Sequence, residues 1–260
     1  MAEDLVLFEV AGGVATITLN SPATRNALSL ALVTALQRRL GAALADPAVR
    51  VIVLTGAGTA FCAGADLKES REANAAGGGT GMQERMAHAL QTIWNAPKPV
   101  VARVNGHARA GGVGLMCACD IAVAAESAVF AFSEVRLGLI PAMISVVTLP
   151  KLPVARATEL FLTGDTFDAA RAVQLGLINA AVPAEALDET VTRYVRSLLQ
   201  GGPEALAAAK RLVRDVPAMP SDEAFRAMAA LSARFFASEE ALEGMTAFAE
   251  RRPPRWAPQG

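Results

Sequence analysis

The chain is poor in the residues that usually advertise a chemistry. Three cysteines and two histidines are all it holds among 260 residues. The cysteines, Cys62, Cys117 and Cys119, are odd in number and sit in apolar contexts. That argues against a disulfide framework and reads as reduced core cysteines of a cytosolic protein. Cys117 and Cys119 have the wrong spacing for the usual zinc pair, and only His107 is near in sequence, so no metal site is expected. Net charge is also missing: 24 Lys and Arg against 25 Asp and Glu give −1, no footprint for nucleic acid or an anionic membrane. A small anionic substrate is not excluded, because a local Arg cluster does not show in a total. The longest apolar runs are broken by Gly, Asp or Pro, and none reaches the roughly 20 residues of a membrane span. The first residues carry acids and no basic segment ahead of an apolar core, so no signal peptide is expected and the location reads as cytoplasmic. No glycine turn has the GxGxxG spacing of a dinucleotide site, so no redox cofactor is expected either.

What the chain does have is apolar content, 53% against 19% charged residues. A sizeable core follows, in one large domain or one domain with an appendage. Residues 5–10 and 14–19 flank Ala11-Gly12-Gly13 as a hairpin. Ser29 is placed to cap a helix running to about Ala45, with Leu32, Leu36, Leu40 and Leu44 on one stripe. A buried strand over 51–54 leads to a turn of small residues, then to a helix start. Residues 70–81, rich in Gly, Ala, Asn and Glu, read as a mobile loop, either a lid over a site or a tolerated insertion. A helix over 82–95, stopped by Pro97 and Pro99, precedes a strand over 100–104. A second glycine turn then opens a helix ending near Cys117, and 121–124 and 129–132 read as short strands. This alternation is an α/β pattern. From Leu152 the chain is mostly helical, over 155–163, 168–175, 186–200, 203–213, 221–237 and 239–250. The last helices carry apolar faces broad enough to bury against another subunit. Arg251-Arg252-Pro253-Pro254 reads as a solvated end.

The two glycine turns are the informative places. Small residues at Ala63-Gly64-Ala65 and at Ala110-Gly111-Gly112 let a ligand approach the backbone. Unused N–H groups at a helix N-terminus hold negative charge. Two such donors are what an oxyanion hole requires.

Several motifs occur in a definite order: Arg25-Asn26-Ala27-Leu28; Phe61-Cys62-Ala63-Gly64-Ala65-Asp66-Leu67-Lys68; Asn105-Gly106 with Ala110-Gly111-Gly112; and Cys119-Asp120-Ile121-Ala122. Phe132-Ser133-Glu134-Val135-Arg136-Leu137-Gly138-Leu139-Ile140-Pro141 and Ala169-Ala170-Arg171-Ala172-Val173-Gln174-Leu175-Gly176-Leu177-Ile178 follow. Gly244-Met245-Thr246-Ala247-Phe248-Ala249-Glu250-Arg251-Arg252 closes the series. Over nearly its whole length the chain thus resembles the crotonase family, the enoyl-CoA hydratase/isomerase superfamily. The resemblance implies an α/β fold, a spiral of ββα turns over 1–197, with a C-terminal helical trimerisation region over 198–260. It implies homotrimers, often paired into hexamers, and an acyl-CoA thioester substrate, with coenzyme A entering as part of that substrate and no other cofactor.

Carried over by position, the backbone N–H groups of Ala65 and Gly111 form the oxyanion hole and Glu134 is a catalytic acid/base. Ala63, Gly64, Asp66 and Leu67 around the first turn are expected to touch the substrate. So are Gly112 and Gly114 around the second, and Pro141 and Met143 beyond Glu134. Hydratases of this family are expected to use a second acid, three residues after the second oxyanion glycine. Here that position is Gly114. Glu134 lies among apolar residues, where burial would raise its pKa toward a useful value; the plain alternative is an exposed strand-edge acid paired with Arg136. Glu69, Glu72, His88 and Arg109 are candidates for the missing acid's role, each otherwise structural or solvated, and His107 reads as a turn or core histidine. Met143 and Ile144 stand where many relatives have glycines and either narrow the acyl pocket or pack a helix start. Three activities stay open: a hydratase, a double-bond isomerase with Glu134 as single proton shuttle, and a weakly active or non-catalytic CoA-ester binding protein.

Overall fold

Two sheets, fed alternately by one chain, form the frame of the computed structural model, which describes residues 4–75 and 81–258. Strands β1 (Val6–Ala11) and β2 (Val14–Leu19) make the expected antiparallel hairpin across Gly12-Gly13. β2 alternates half-buried and buried residues, as a one-sided strand must. Helix α1 (Leu30–Ala45) follows, and Ser29 Oγ caps it by accepting from the Leu32 N–H at 3.2 Å. Leu32, Leu36 and Leu40, four residues apart, bury on one stripe.

Three turns then repeat one pattern: a strand in the large sheet, a three-residue strand in the small sheet, then helix. The first is β3 (Val51–Gly56), β4 (Ala60–Cys62), α2 (Leu67–Ala75) and α3 (Gly81–Asn95). The second is β5 (Val100–Val104), β6 (His107–Arg109) and α4 (Gly111–Ala118). The third is β7 (Ile121–Ala125), β8 (Val129–Ala131), a 3-10 turn over Glu134–Leu137 and α5 (Ala142–Thr148). Next come α6 (Val154–Thr163), β9 (Thr166–Asp168), α7 (Ala169–Gln174), β10 (Ala180–Val182) and α8 (Leu187–Gln200).

The large sheet runs β1-β2-β3-β5-β7-β10 and the small one β4-β6-β8-β9. All pairs are parallel except β1–β2 and β8–β9. This is the ββα spiral that the motif order implied. β3 is buried along its whole length, which accounts for its unbroken Val-Ile-Val-Leu run. Each large apolar side chain so buried contributes about 1.5–3 kcal/mol. On the outer face of the large sheet, Leu187, Val191, Val195 and Leu199 of α8 pack on Val51, Val53, Val101 and Val123. The expected boundary after residue 197 therefore falls inside one continuous helix.

The loop expected over 70–81 is helical at its start. Asp66 Oδ1 accepts from the Lys68 and Glu69 N–H groups, both at 3.0 Å, and so caps α2. The cap starts a run of good helix formers, and the glycines that suggest a loop come only at 77–79; residues 76–80 lie outside the described residues. The C-terminal helices are α9 (Pro203–Asp215), α10 (Ser221–Phe236) and α11 (Glu239–Ala249). The tail is not simply a solvated end, because Arg252 donates to Glu243 at 2.8 Å and to Glu250 at 2.6 Å. Arg50 donates to the Trp256 carbonyl at 2.7 Å. No helix among the described residues is long and apolar enough to cross a membrane.

Candidate active site

Strands β4, β6 and β8 lie side by side and parallel, with Cys62 beside Ala108 and Arg109 beside Ala131. Their C-terminal ends therefore open on one edge of the small sheet, where α/β folds place ligands. The three segments picked out in the sequence leave from these three ends: Ala63-Gly64-Ala65 from β4, Ala110-Gly111 from β6, and Phe132-Ser133-Glu134 from β8. Topology alone brings them together.

The first turn is held by hydrogen bonds. The Leu28 N–H donates to the Gly64 carbonyl at 2.7 Å and the Asp66 N–H to the Leu28 carbonyl at 3.1 Å, on either side of Ala65. The exposed Ala65 keeps its own N–H without an acceptor among the described residues. Gly64 has φ +87°, and a Cβ there would sit 2.9 Å from the Arg109 carbonyl oxygen, so only glycine fits. Behind this turn stands Asn26, fully buried with φ 56°. Its Nδ2 donates to the carbonyls of Ala57, Ala60 and Phe61 at 3.0, 2.9 and 3.2 Å, and its Oδ1 accepts from the Ser21 N–H at 2.9 Å. Asn26 thus ties the segment carrying Leu28 to the start of β4 and the loop before it. In the sequence only its place in the Arg25-Asn26-Ala27-Leu28 motif marks it.

The second turn is held by strain and packing. Ala110 has φ 47° and ψ −118°, a conformation that costs an L-residue on the order of 1–3 kcal/mol. Its N–H is fixed on the Ala131 carbonyl at 2.9 Å. Gly111 opens α4, so its N–H has no intrahelical acceptor, and it finds no other among the described residues. A Cβ on Gly112 would lie 2.4 Å from the Cys62 carbonyl oxygen, and one on Gly111 would lie 2.8 Å from Leu28 Cδ1. Leu28 therefore flanks Ala65 through its backbone and Gly111 through its side chain, and the two free donors are neighbours.

Glu134 begins the 3-10 turn after β8, and its Oε2 is buried without a hydrogen-bond partner. Burial pushes its carboxyl above the ordinary 4.5, partly opposed by a hydrogen bond from its own backbone N–H. Arg136 is not its partner: it pairs with Asp165 and donates to the Thr163 carbonyl at 3.2 Å. The strand-edge ion pair is thus ruled out. Below the turn, Phe132 packs tilted against Phe161 and stacked against Phe167, at 4.8 and 6.1 Å between ring centroids, which supplies the dry floor.

At Gly114 a Cβ would lie 2.3 Å from Ile144 Cγ2 and 2.9 Å from Ile144 Cβ. No acid fits there. Ile144 is buried on α5, just beyond the buried Pro141, while Met143 is half-buried against the main core. Most of the other candidate groups are engaged elsewhere. Glu69 accepts from the Leu30 N–H at 3.1 Å and so caps α1, while His88 Nδ1 meets Gln37 Nε2 at 3.2 Å. His107 Nδ1 accepts from the Val129 N–H at 3.1 Å. Glu72 and Leu67 are exposed, and Arg109 contributes its carbonyl to the contact with Gly64. Cys62 is no nucleophile, since burial pushes its thiol up to about 12.

A cavity of ≈ 250 Å³ lined by Leu28, Leu30, Asp66, Ser70, Ala73 and Met82 adjoins the first turn. A larger hollow, ≈ 600 Å³, lies between the spiral and α9, away from both turns. Two free N–H donors beside a protonatable carboxyl on a dry floor can stabilise an oxyanion and carry a proton to or from the adjacent carbon.

Comparison with known proteins agrees with the geometry. The family model described as enoyl-CoA hydratase/isomerase matches residues 9–259. An enoyl-CoA hydratase of Mycobacterium tuberculosis, EchA19, is 36% identical over 96% of this chain and 95% of its own length. The carnitinyl-CoA dehydratase of Escherichia coli K12 is 38% identical over 81% of this chain and 82% of its own. The crystal structure of Pseudomonas aeruginosa AtuE superposes with a TM-score of 0.91 at 35% identity, covering 97% of this chain and 99% of that one.

Proposed function

The chain belongs to the enoyl-CoA hydratase/isomerase family, and on that premise we propose that it adds water across the double bond of a 2-enoyl-CoA, with Glu134 as its one acid/base. The observation that carries this reading is the buried, unpartnered Oε2 of Glu134 at the sheet edge that also holds two unengaged N–H donors. A buried polar atom left unpaired in a native fold calls for a functional reason. In the forward step, the Glu134 carboxylate takes a proton from water as the water oxygen bonds to C3. The C2=C3 π pair shifts into the C1–C2 bond and the carbonyl π pair moves onto the thioester oxygen, held by the N–H groups of Ala65 and Gly111. Glu134 then returns the proton to C2 and the enolate collapses, so one water is added in total. Each N–H donor is worth about 3–4 kcal/mol to such an intermediate. Relatives named hydratase and dehydratase support this chemistry, one for each direction.

Isomerisation is the second reading, and Gly114 sealed by Ile144 favours it. Without a second acid, a single carboxyl suffices to take a proton from C2 of a 3-enoyl-CoA and deliver it to C4. Incubation with trans-2-enoyl-CoA and with trans-3-enoyl-CoA in heavy water separates the two. A 3-hydroxyacyl product with deuterium at C2 supports hydration; conversion of the 3-enoyl ester without water addition supports isomerisation. Tight CoA-ester binding with neither product sinks both and leaves a binding protein.

Around the Glu134 step, Ala63, Gly64, Gly112, Pro141 and Met143 shape the substrate's bed, while Asp66 acts mainly as the cap of α2. Coenzyme A enters as part of the substrate, and the chemistry requires no metal or redox group. Phe225, Phe236 and Phe248 on α10 and α11 are 79, 73 and 87% exposed. Such faces are covered in a trimer or a pair of trimers, working in the cytoplasm.

A further inference from the structure

Gly111 and Gly114 lie one turn apart on the same face of α4. The wall they face is apolar: Leu28 and Met86 stand against Gly111, and Ile144 and Leu90 against Gly114. The contact at Gly114 is the tightest, and it is made by the Cβ and Cγ2 of Ile144. These atoms are the stiff root of a β-branched chain, which cannot swing aside as the tip of a long side chain could. Of the other acids and histidines considered for the site, Glu69 is held on Leu30, Asp66 on α2, His88 on Gln37 and His107 on Val129, while Glu72 is turned out to solvent.

We propose that Ile144 and Gly114 are an interlocked pair that decides the proton route: Ile144 occupies the room a polar side chain at position 114 would need, and so leaves Glu134 as the sole proton carrier. Ile144 is a positioning and specificity residue, since it acts by exclusion and carries no proton itself. The inference rests on the reading of Glu134 as acid/base, but its packing half stands without it.

Two cycles on the full-length protein test it. In the packing cycle, Gly114→Ala lowers Tm by roughly 5 °C or more, while in the Ile144→Ala background the same change costs less than half as much. In the proton-route cycle, Glu134→Gln removes turnover. Adding Gly114→Asp together with Ile144→Ala restores about tenfold over Glu134→Gln, and adding Gly114→Asp alone restores nothing. Additive Tm effects overturn the interlock. Equal rescue with and without Ile144→Ala, or rescue in neither, removes Ile144 from the proton route and leaves it a packing residue. The identity of the wild-type product, read in the same assay, decides hydration against isomerisation separately from both cycles.

Discussion

Glu134 and Asp120 are both carboxylates withdrawn from water, at opposite fates. Asp120, at the start of β7, is fully matched. It accepts from Lys210 Nζ at 2.7 Å, Arg214 Nη2 at 2.9 Å and the Val100 N–H at 2.8 Å. It ties α9 to the edge of the large sheet. Glu134, at the open edge of the small sheet, has one oxygen with no partner among the described residues. The difference separates a carboxylate that holds the fold from one kept available. A matched acid is committed to the fold; the unmatched one is free to serve a reaction.

Replacing both acids tests this contrast, and the largest expected effect is on Glu134. Glu134→Gln should lower turnover about 10²–10⁴-fold with no loss of stability by urea unfolding at neutral pH; retained turnover would remove Glu134 from the site. Asp120→Ala should do the reverse. It strands Lys210 and Arg214, whose side chains are 7 and 18% exposed, and should cost about 3–5 kcal/mol. Turnover per folded molecule should stay within a few-fold of native, and a large kcat loss in the folded fraction would erase the distinction between the two acids.

Gly112→Ala touches neither acid but pushes on the Cys62 carbonyl and so displaces the donors that Glu134 must work beside. A drop of roughly 10²-fold in kcat, with KM little changed, is expected from steady-state kinetics. The smallest effect is in pH. Burial raises the Glu134 carboxyl above 4.5 in the folded protein, so the native state holds its proton where the unfolded chain has released it. The stability this gives is complete below the unfolded value and is lost as pH rises through the native one. Glu134→Gln should therefore gain stability relative to the native protein as pH rises from about 4.5; a gain on going down in pH would show that burial is not the cause.

Strands β1 to β7 of the large sheet and most helices are legible because their segments are long enough to show a period; β10, with three residues, is not. Residues 51–54 form an unbroken apolar run, and Ser29 precedes a four-residue Leu stripe. Of the small sheet only β8 is legible, within the strand read over 129–132. β4, β6 and β9 are three residues each, too short for alternation to register, and two of them read as parts of turns. Yet this sheet gathers the site. The segment 70–81 reads as a loop because its three glycines, at 77–79, weigh on the whole stretch, whereas its first residues are good helix formers behind the Asp66 cap. The role of Ile144 was left between two alternatives, since only its distance from Gly114 distinguishes filling a site from starting a helix.

By itself the sequence determined the family, the two glycine turns, the lone acid at Glu134 and the absence of an acid at Gly114, because these are matters of residue type and order. Only the tertiary structure decided that the turns are adjacent, that Arg136 leaves Glu134 unpaired and that Ile144 occupies the space above Gly114. Each of these depends on which atoms from distant parts of the chain compete for the same space or the same hydrogen bond, and that competition is settled only when the sheets close.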